Sequence, residues 1–309
     1  MMYPRRSCTI FLAFIAAFTT AFCLCAIGHA ANPPQYKVSI DNQPISEDEL
    51  AFQFFLNQLP ETATEADRLR LINKAVDRIL VKRFLQFAAI EPSQAALDQE
   101  VSTLLKATQA KGQTTQEVLN QLGLDEQKLR GLLWTDAAWK TYASTVVSRG
   151  ALLAEWDMYR NRYDGTRVKA SQIILRLPPD AKTEKIQSAL SELHGIHEKI
   201  ANGELTFAEA ARQYSQSPSG QKGGDLGEFE YYGRVAEEIS SVAFQLSPGQ
   251  ISDPFRTRFG VHLLLLTDKL EGQFSIEDAK PEIYSRLSNR MWDEIVMQQR
   301  EKHLISVQR

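Results

Sequence analysis

The stretch from Val168 to Lys269 constrains the fold of this chain more than any other part of it. An apolar segment opens it, a glycine-dense stretch at Gly223–Gly227 crosses its middle, and a second apolar segment carrying His262 closes it. Strand-length apolar runs that alternate with helix-length segments and Gly/Pro punctuation predict an α+β domain, with a four-stranded antiparallel sheet and flanking helices. The predicted elements are a strand at 170–175, helices at 182–201, 205–214 and 236–246, a loop over 215–227, and strands at 251 and 261–267.

Capped amphipathic helices are predicted for most of residues 46–163. In a capping box, a Ser or Thr side chain and a following acidic residue satisfy free backbone N–H groups at the start of a helix. Such boxes are predicted at 46–49 and 62–65, and residues 114–117 are predicted to open a short helix. Apolar residues between Leu69 and Phe87 recur at three- and four-residue spacing, which is typical of a long amphipathic helix.

Residues 1–31 have the composition of an export signal. Arg5 and Arg6 precede an uncharged apolar run from Thr9 to Ile27, and small residues surround Ala30. We expect cleavage near Ala30 and a periplasmic or otherwise exported mature chain. The alternative is a retained membrane anchor, because the apolar run is borderline in length for a membrane span. All three cysteines lie in this leader, which agrees with an oxidising compartment.

The net charge and the positions of possible metal-ligating residues indicate which kinds of partner the chain can bind. The formal net charge is −3, and removal of the leader takes away two arginines and no acidic residue, which gives −5. A mildly acidic chain without a long basic run argues against nucleic acid. His194 and His197 lie three residues apart on a predicted helix, but a metal site needs further ligands. We therefore expect no metal.

The Val168–Lys269 stretch resembles the parvulin family of peptidyl-prolyl isomerases through two motifs, Gly-Gly-Asp-Leu-Gly (223–227) and Phe-Gly-Val-His-Leu (259–263). The resemblance implies catalysed rotation about Xaa-Pro bonds without a metal, a cofactor or a covalent intermediate. It also implies a polar cluster made here of His262, Thr257, Gln172 and Ser217. Gln172 stands where the family commonly has a first histidine, and Ser217 where it commonly has Cys or Asp.

The same resemblance implies an apolar pocket for the substrate's proline ring. Leu226 and Phe244 match positions that line or support this pocket, whereas Val235 and Ile239 stand where the family usually has Met and Phe. Loss of the aromatic ring at Ile239 is expected to weaken the packing of proline by about 1 kcal/mol or more. We therefore expect a weakened isomerase, or a domain that binds without catalysing.

The flanking helices resemble the N-terminal domain of SurA-like periplasmic chaperones, in which a C-terminal helix packs back on that domain. A capping pattern at residues 275–278 predicts the start of this C-terminal helix, with Pro281 delaying its regular part. Residues 303–307 are expected to form a strand that pairs with residues 38–40. The implied parts are a signal peptide (1–31), a SurA-like helical domain (32–165), a parvulin-like domain (166–270) and a C-terminal helix (271–309).

Two functions are consistent with these features. The first is an exported foldase, a peptidyl-prolyl isomerase that acts on unfolded or proline-containing envelope or secreted polypeptides. The alternative is a non-catalytic periplasmic chaperone that uses the parvulin fold to dock peptides. Gln172, Ser217 and Ile239 favour the chaperone, whereas His262 and Thr257 favour the enzyme. Contact with a membrane is expected only if the leader is retained as an anchor.

Overall fold

A computed structural model describes residues 36–60 and 62–308. The predicted export signal and its cleavage site therefore lie outside the described residues. Within them, helices and strands are combined, as the α+β prediction requires. No helix of this part of the chain is both long and apolar enough to cross a bilayer.

Six α-helices and one 3-10 turn build the first half of the described chain. They are α1 (Glu47–Leu56), α2 (Glu65–Phe87), α3 (Gln94–Gln109), α4 (Thr115–Leu122), α5 (Glu126–Val146), α6 (Arg149–Tyr159) and the 3-10 turn Arg160–Arg162. Each α-helix begins at a Ser, Thr or Asp whose side chain accepts a backbone N–H of the first turn. Such caps satisfy donors that a helix cannot pair internally. The long helix expected around Leu69–Phe87 is confirmed as α2.

One capping box was predicted two residues too early. The N-cap of α2 is Thr64, whose hydroxyl accepts from the Asp67 N–H while the Asp67 carboxylate accepts from the Thr64 N–H. The Ala63 N–H donates to the Pro60 carbonyl at 2.9 Å. That turn keeps Thr62 outside the helix, so the predicted box at 62–65 is wrong.

A small sheet ties the two ends of the described chain together. It contains β1 (Lys37–Ile40), β2 (Gln43–Pro44) and β7 (Ile305–Gln308) in the order β2-β1-β7. β1 and β7 pair antiparallel, with Val38 opposite Val307. The predicted pairing of residues 38–40 with the C-terminal segment is confirmed.

The last helix, α10 (Ile276–Lys302), returns to the N-terminal helices. The Trp139 indole N–H of α5 donates to the Ser288 hydroxyl at 3.0 Å, and the Arg300 Nε lies 2.5 Å from Asp77 Oδ1 of α2. The predicted delay at Pro281 is wrong, because α10 starts directly after its Ser275 cap. A complete capping box at Ser275 stabilises the first turn, and the proline omits only one N–H of the helix.

A four-stranded antiparallel sheet forms between these helical parts. Its strands are β3 (Arg167–Arg176), β4 (Asp225–Glu230), β5 (Phe255–Thr257) and β6 (Gly260–Leu270), in the order β4-β3-β6-β5. The helices that accompany it are α7 (Thr183–Ala201), α8 (Phe207–Tyr214) and α9 (Glu237–Ala243). The four-stranded antiparallel prediction is confirmed.

Two local predictions within this sheet are corrected. The expected loop over 215–227 contains a 3-10 turn, Pro218–Lys222, and the first residues of β4. Glycines concealed this strand, since they weaken the usual strand signal. Ile251 makes only an isolated bridge to Leu265, and β5 supplies the edge of the sheet instead.

The two faces of the sheet pack against different helices. Ile173, Val261 and Leu263 are buried with residues of α7 and α8. The opposite face buries a group that we call the α9-side cluster, comprising Val168, Ala170, Phe229, Tyr231, Ile239, Ala243, Phe244, Leu246, Leu264 and Leu266. Successive strand residues point to opposite faces. Gln172 and His262 therefore lie on the α9 face.

Two chain segments connect the sheet to the helices, and they lie side by side. The Gly272 N–H donates to the Thr166 hydroxyl at 3.0 Å, and the Phe274 N–H donates to the Asp164 carbonyl at 2.9 Å. A Cβ at residue 272 would come within 2.0 Å of the Asp164 carbonyl oxygen. Only glycine permits this close approach of the two backbones.

Candidate active site

A buried histidine on β6 is the centre of the candidate site. His262 is opposite Ile174 of β3 and Phe255 of β5, and only 1% of it is exposed. Its Nε2 lies 2.8 Å from the Thr257 hydroxyl, and its Nδ1 lies 3.2 Å from Gln172 Oε1. Three of the four predicted polar residues therefore form one hydrogen-bonded chain, Thr257–His262–Gln172.

The donors of this chain can be assigned from its chemistry. An amide oxygen only accepts, so His262 Nδ1 carries the hydrogen that points to Gln172 Oε1. His262 Nε2 then accepts from the Thr257 hydroxyl, which itself accepts from the Phe259 N–H at 3.1 Å. Every polar atom of the imidazole is thus paired while the ring is neutral.

Burial keeps this imidazole uncharged. Removal from water, together with the nearby positive charge of Arg256, lowers the pKa of His262 from 6.5 to about 4. The carboxylate of Glu238 acts weakly in the opposite direction. His262 is consequently neutral at physiological pH, and the chain of hydrogen bonds contains no ionised group.

The turn between β5 and β6 fixes the position of Thr257. Arg256 donates to the Thr257 carbonyl and, at 2.8 Å, to the Pro178 carbonyl beyond the end of β3. Gly260 closes the turn, since a Cβ there would come within 2.2 Å of the Leu175 carbonyl oxygen. These contacts attach the turn to β3 and so bring Thr257 within reach of His262.

Ser217 does not share in this chain. It caps the 3-10 turn, and its hydroxyl accepts from the Ser219 N–H at 3.3 Å and the Ser219 hydroxyl at 3.1 Å. The glycine-dense stretch nevertheless lies against Gln172. The Gln172 N–H donates to the Gly224 carbonyl at 2.9 Å, and a Cβ at Gly224 would come within 2.4 Å of the Gln172 carbonyl oxygen.

The four predicted apolar residues all belong to the α9-side cluster or pack against it. Ile239 and Phe244 are buried members of the cluster. Leu226 and Val235 are partly exposed at its margin. The cluster therefore offers an apolar surface beside the polar chain, and its margin is open to solvent.

Sequence reasoning missed Phe255. Its ring stacks on the imidazole of His262, with centroids 5.4 Å apart and an angle of 22° between the planes. It is partly exposed and packs against the α9-side cluster. Its spacing from Thr257 could have indicated it. Residues two apart in a strand share a face, and Thr257 was predicted to belong to the site.

A metal site finds no support in the described residues. Across 36–60 and 62–308, no three His, Cys, Asp or Glu side chains are grouped so that they could hold an ion. His194 and His197 lie with ring centroids 6.4 Å apart on α7.

Comparison with known proteins identifies the domain that contains this site. Residues 173–268 match the family described as Rotamase, PPIC-type PPIASE domain. The chain thus carries a rotamase domain of the PPIC type. This match covers the Gln172-adjacent part of β3, the glycine-dense stretch and the His262 strand, so the parvulin resemblance is confirmed.

Relatives extend the similarity beyond the rotamase domain. Chaperone SurA of Albidiferax ferrireducens is 33% identical over 129 residues, which are 42% of this chain and 27% of that protein. Foldase protein PrsA of Geobacillus kaustophilus is 27% identical over 269 residues, which are 87% of this chain and 83% of that protein. The chain spans about a quarter of the length of the SurA proteins that it matches.

A solved structure also resembles the chain. The crystal structure of a peptidylprolyl isomerase (PrsA) from Bacillus anthracis aligns with a TM-score of 0.48 at 23% identity. The alignment covers 75% of this chain and 96% of that one.

Proposed function

We propose that this protein is an exported peptidyl-prolyl cis-trans isomerase that assists the folding of other polypeptides. The observation that carries the proposal is the closed, neutral chain Thr257–His262–Gln172, set beside an apolar cluster within a rotamase domain. Relatives named chaperone and foldase support the role in folding. The composition of residues 1–31 supports export.

The reaction requires selective stabilisation of a twisted amide. Planar peptide bonds rotate over a barrier of about 18–20 kcal/mol, because rotation removes resonance and leaves the lone pair on nitrogen. A catalyst must therefore favour the twisted form over both planar forms. A fixed donor beside an apolar surface can do so without transferring a proton.

Gln172 is the member of the polar chain that is placed to meet the substrate. His262 and Thr257 are almost fully buried, whereas Gln172 is partly exposed. His262 holds Gln172 Oε1, and no partner for Nε2 is found among residues 36–60 and 62–308. The Nε2 hydrogens are thus oriented donors for the twisted amide. His262 and Thr257 act as positioning residues behind Gln172.

The remaining predicted residues have supporting roles in this proposal. Leu226 and Val235 contribute the open margin of the proline surface, and Ile239 and Phe244 support it from within the cluster. Ser217 shapes the 3-10 turn that precedes β4.

The test is cis-trans exchange of a short Xaa-Pro peptide, measured by NMR with the purified mature chain. We expect exchange well above the uncatalysed rate, which is on the order of one event in tens to hundreds of seconds. His262→Ala and Gln172→Glu should each lose most of the acceleration. Gln172→Glu keeps the size of the side chain and removes the donor. A Ser217→Ala control should retain activity if Ser217 only shapes the turn.

Absence of any acceleration by the natural chain would refute the isomerase. Equal activity of natural protein and Gln172→Glu would refute the proposed role of the amide donor while leaving the enzyme intact. The two parts of the proposal are therefore tested separately.

The rival function is a peptide-docking chaperone without catalysis. It is favoured by the burial of His262 and by the position of Ser217 outside the hydrogen-bonded chain. The double substitution Gln172→His and Ser217→Asp distinguishes the two. A jump from no activity to measurable exchange would show that the natural domain binds without catalysing.

We infer further that the helices before residue 166 and after residue 270 form one client-binding unit. The contacts of α10 with α2 and α5, together with the β1–β7 pairing, support this. Unfolded polypeptides would be its ligands. Deletion of residues 275–309 should lower the melting temperature of the helical part and its suppression of client aggregation. Unchanged values would refute this organisation.

A further inference from the structure

Phe255 differs from every other aromatic residue of the rotamase site. It lies on β5, the edge strand of the sheet, and one face of its ring covers His262. The rest of the ring packs against the α9-side cluster and is partly exposed. The side chain thus joins the polar chain to the apolar cluster at a point that solvent reaches.

The other aromatic rings of this cluster are either buried or in contact with the helices. Phe229, Tyr231 and Phe244 are buried, so their faces are occupied by protein. Tyr232 faces the helices, where its hydroxyl donates to Tyr163 and the Arg286 guanidinium lies over its ring. Among the cluster aromatics of the described chain, Phe255 is the one with an open surface beside His262.

We propose that Phe255 supplies the aromatic surface on which the substrate's proline ring packs. This inference rests on the proposed peptidyl-prolyl function and names the residue that recognises proline. Ile239 offers no aromatic ring and is buried in the cluster. The parvulin resemblance implies an aromatic residue at position 239 of α9. We place the aromatic contact with proline on the edge strand β5 instead.

The geometry explains why proline in particular would be recognised. An aromatic ring presents a flat, electron-rich face, and such faces contribute specific contacts beyond the burial of apolar area. The C–H groups of a pyrrolidine ring carry slight positive charge next to the amide nitrogen, so they suit that face. With the ring on Phe255, the adjoining amide would lie near the Gln172 Nε2 hydrogens, because Gln172 and Phe255 contact the same imidazole from two sides.

The experiment compares peptide binding by the full mature chain and two variants with the same substitution. Phe255→Leu removes the exposed ring, and Phe229→Leu removes a buried ring of the same cluster. Binding of a blocked Ala-Ala-Pro-Ala peptide and of its Ala-Ala-Ala-Ala counterpart is measured by NMR titration. We expect Phe255→Leu to weaken the proline peptide about three- to tenfold and to leave the alanine peptide unchanged. Phe229→Leu should lower the melting temperature without this selective loss.

A second readout reports contact directly. Intermolecular nuclear Overhauser effects are expected between the Phe255 ring protons and the proline δ protons. Equal affinity of Phe255→Leu and the natural chain for the proline peptide would overturn the proposal. So would an equal loss in Phe229→Leu, or no binding by the natural chain. Selective binding without faster cis-trans exchange would instead refute only the catalytic part of the proposed function.

Discussion

Acidification is expected to destabilise the rotamase domain through His262. The unfolded chain binds a proton on this residue near pH 6.5, whereas burial lowers the pKa in the folded state to about 4. Between pH 4 and 6.5 the unfolded state binds more protons at this residue than the folded state does. The contribution of His262 to the free energy of unfolding is therefore fully present above pH 6.5 and is lost as the pH drops towards 4. At about 1.4 kcal/mol for each tenfold change in proton affinity, the loss amounts to about 3 kcal/mol.

The assay combines a titration with a matched variant. The carbon-13 signal of the His262 ring, assigned by its absence in His262→Gln, should keep its neutral position down to about pH 5. Between pH 6.5 and 4.5, urea unfolding should show a larger loss of stability for the natural protein than for His262→Gln. Glu49 is a second buried group, but desolvation raises its pKa, so it contributes with the opposite sign in both proteins. A His262 pKa near 6.5, or parallel stability curves, would refute the reasoning.

Three further outcomes are expected. Arg256→Gln should raise the pKa of His262 in the same titration, because it removes a positive charge. Arg256→Lys keeps the charge and should leave this pKa low. Equal His262 pKa values in the two variants would contradict this reasoning. Gly272→Ala should destabilise the protein by about 1–3 kcal/mol in thermal melting, since its Cβ would collide with the Asp164 carbonyl. Gly131→Ala should stabilise α5 by about 0.5–1 kcal/mol, because it lies within the helix and its Cβ meets nothing within 4 Å.

Features that depend on local sequence were predictable. The apolar spacing of Leu69–Phe87 and the caps at Ser46 and Thr114 involve residues three or four apart, and the structure contains all of them. The box at 62–65 failed for a local reason too. Two threonines compete there, and the backbone turn from Pro60 selects Thr64 over Thr62.

Features that depend on pairing between strands were not predictable in the same way. Phe255 faces His262 only because the β5–β6 register places them opposite each other, and a single sequence does not give that register. The strand Asp225–Glu230 was not predicted because Gly227 interrupts the sequence pattern of a strand. In the structure Gly227 has a φ of +69°, which a strand residue rarely adopts. The role of Ser217 stays a prediction, since its hydroxyl contacts Ser219 instead of the polar chain.

The parvulin resemblance predicts a histidine at position 172, and the glutamine found there is compatible with the proposed chemistry for a physical reason. A histidine pair needs one ring to donate and the other to accept, and either ring can ionise when the pH falls. An amide offers both an acceptor and donors and never titrates in this range. His262 uses the acceptor, and in the proposed mechanism the donors remain for the substrate. A site that distorts an amide without moving a proton needs this fixed polarity rather than a titrating group. The proposed mechanism therefore predicts that the neutral pair supports isomerisation over the whole pH range in which His262 stays uncharged.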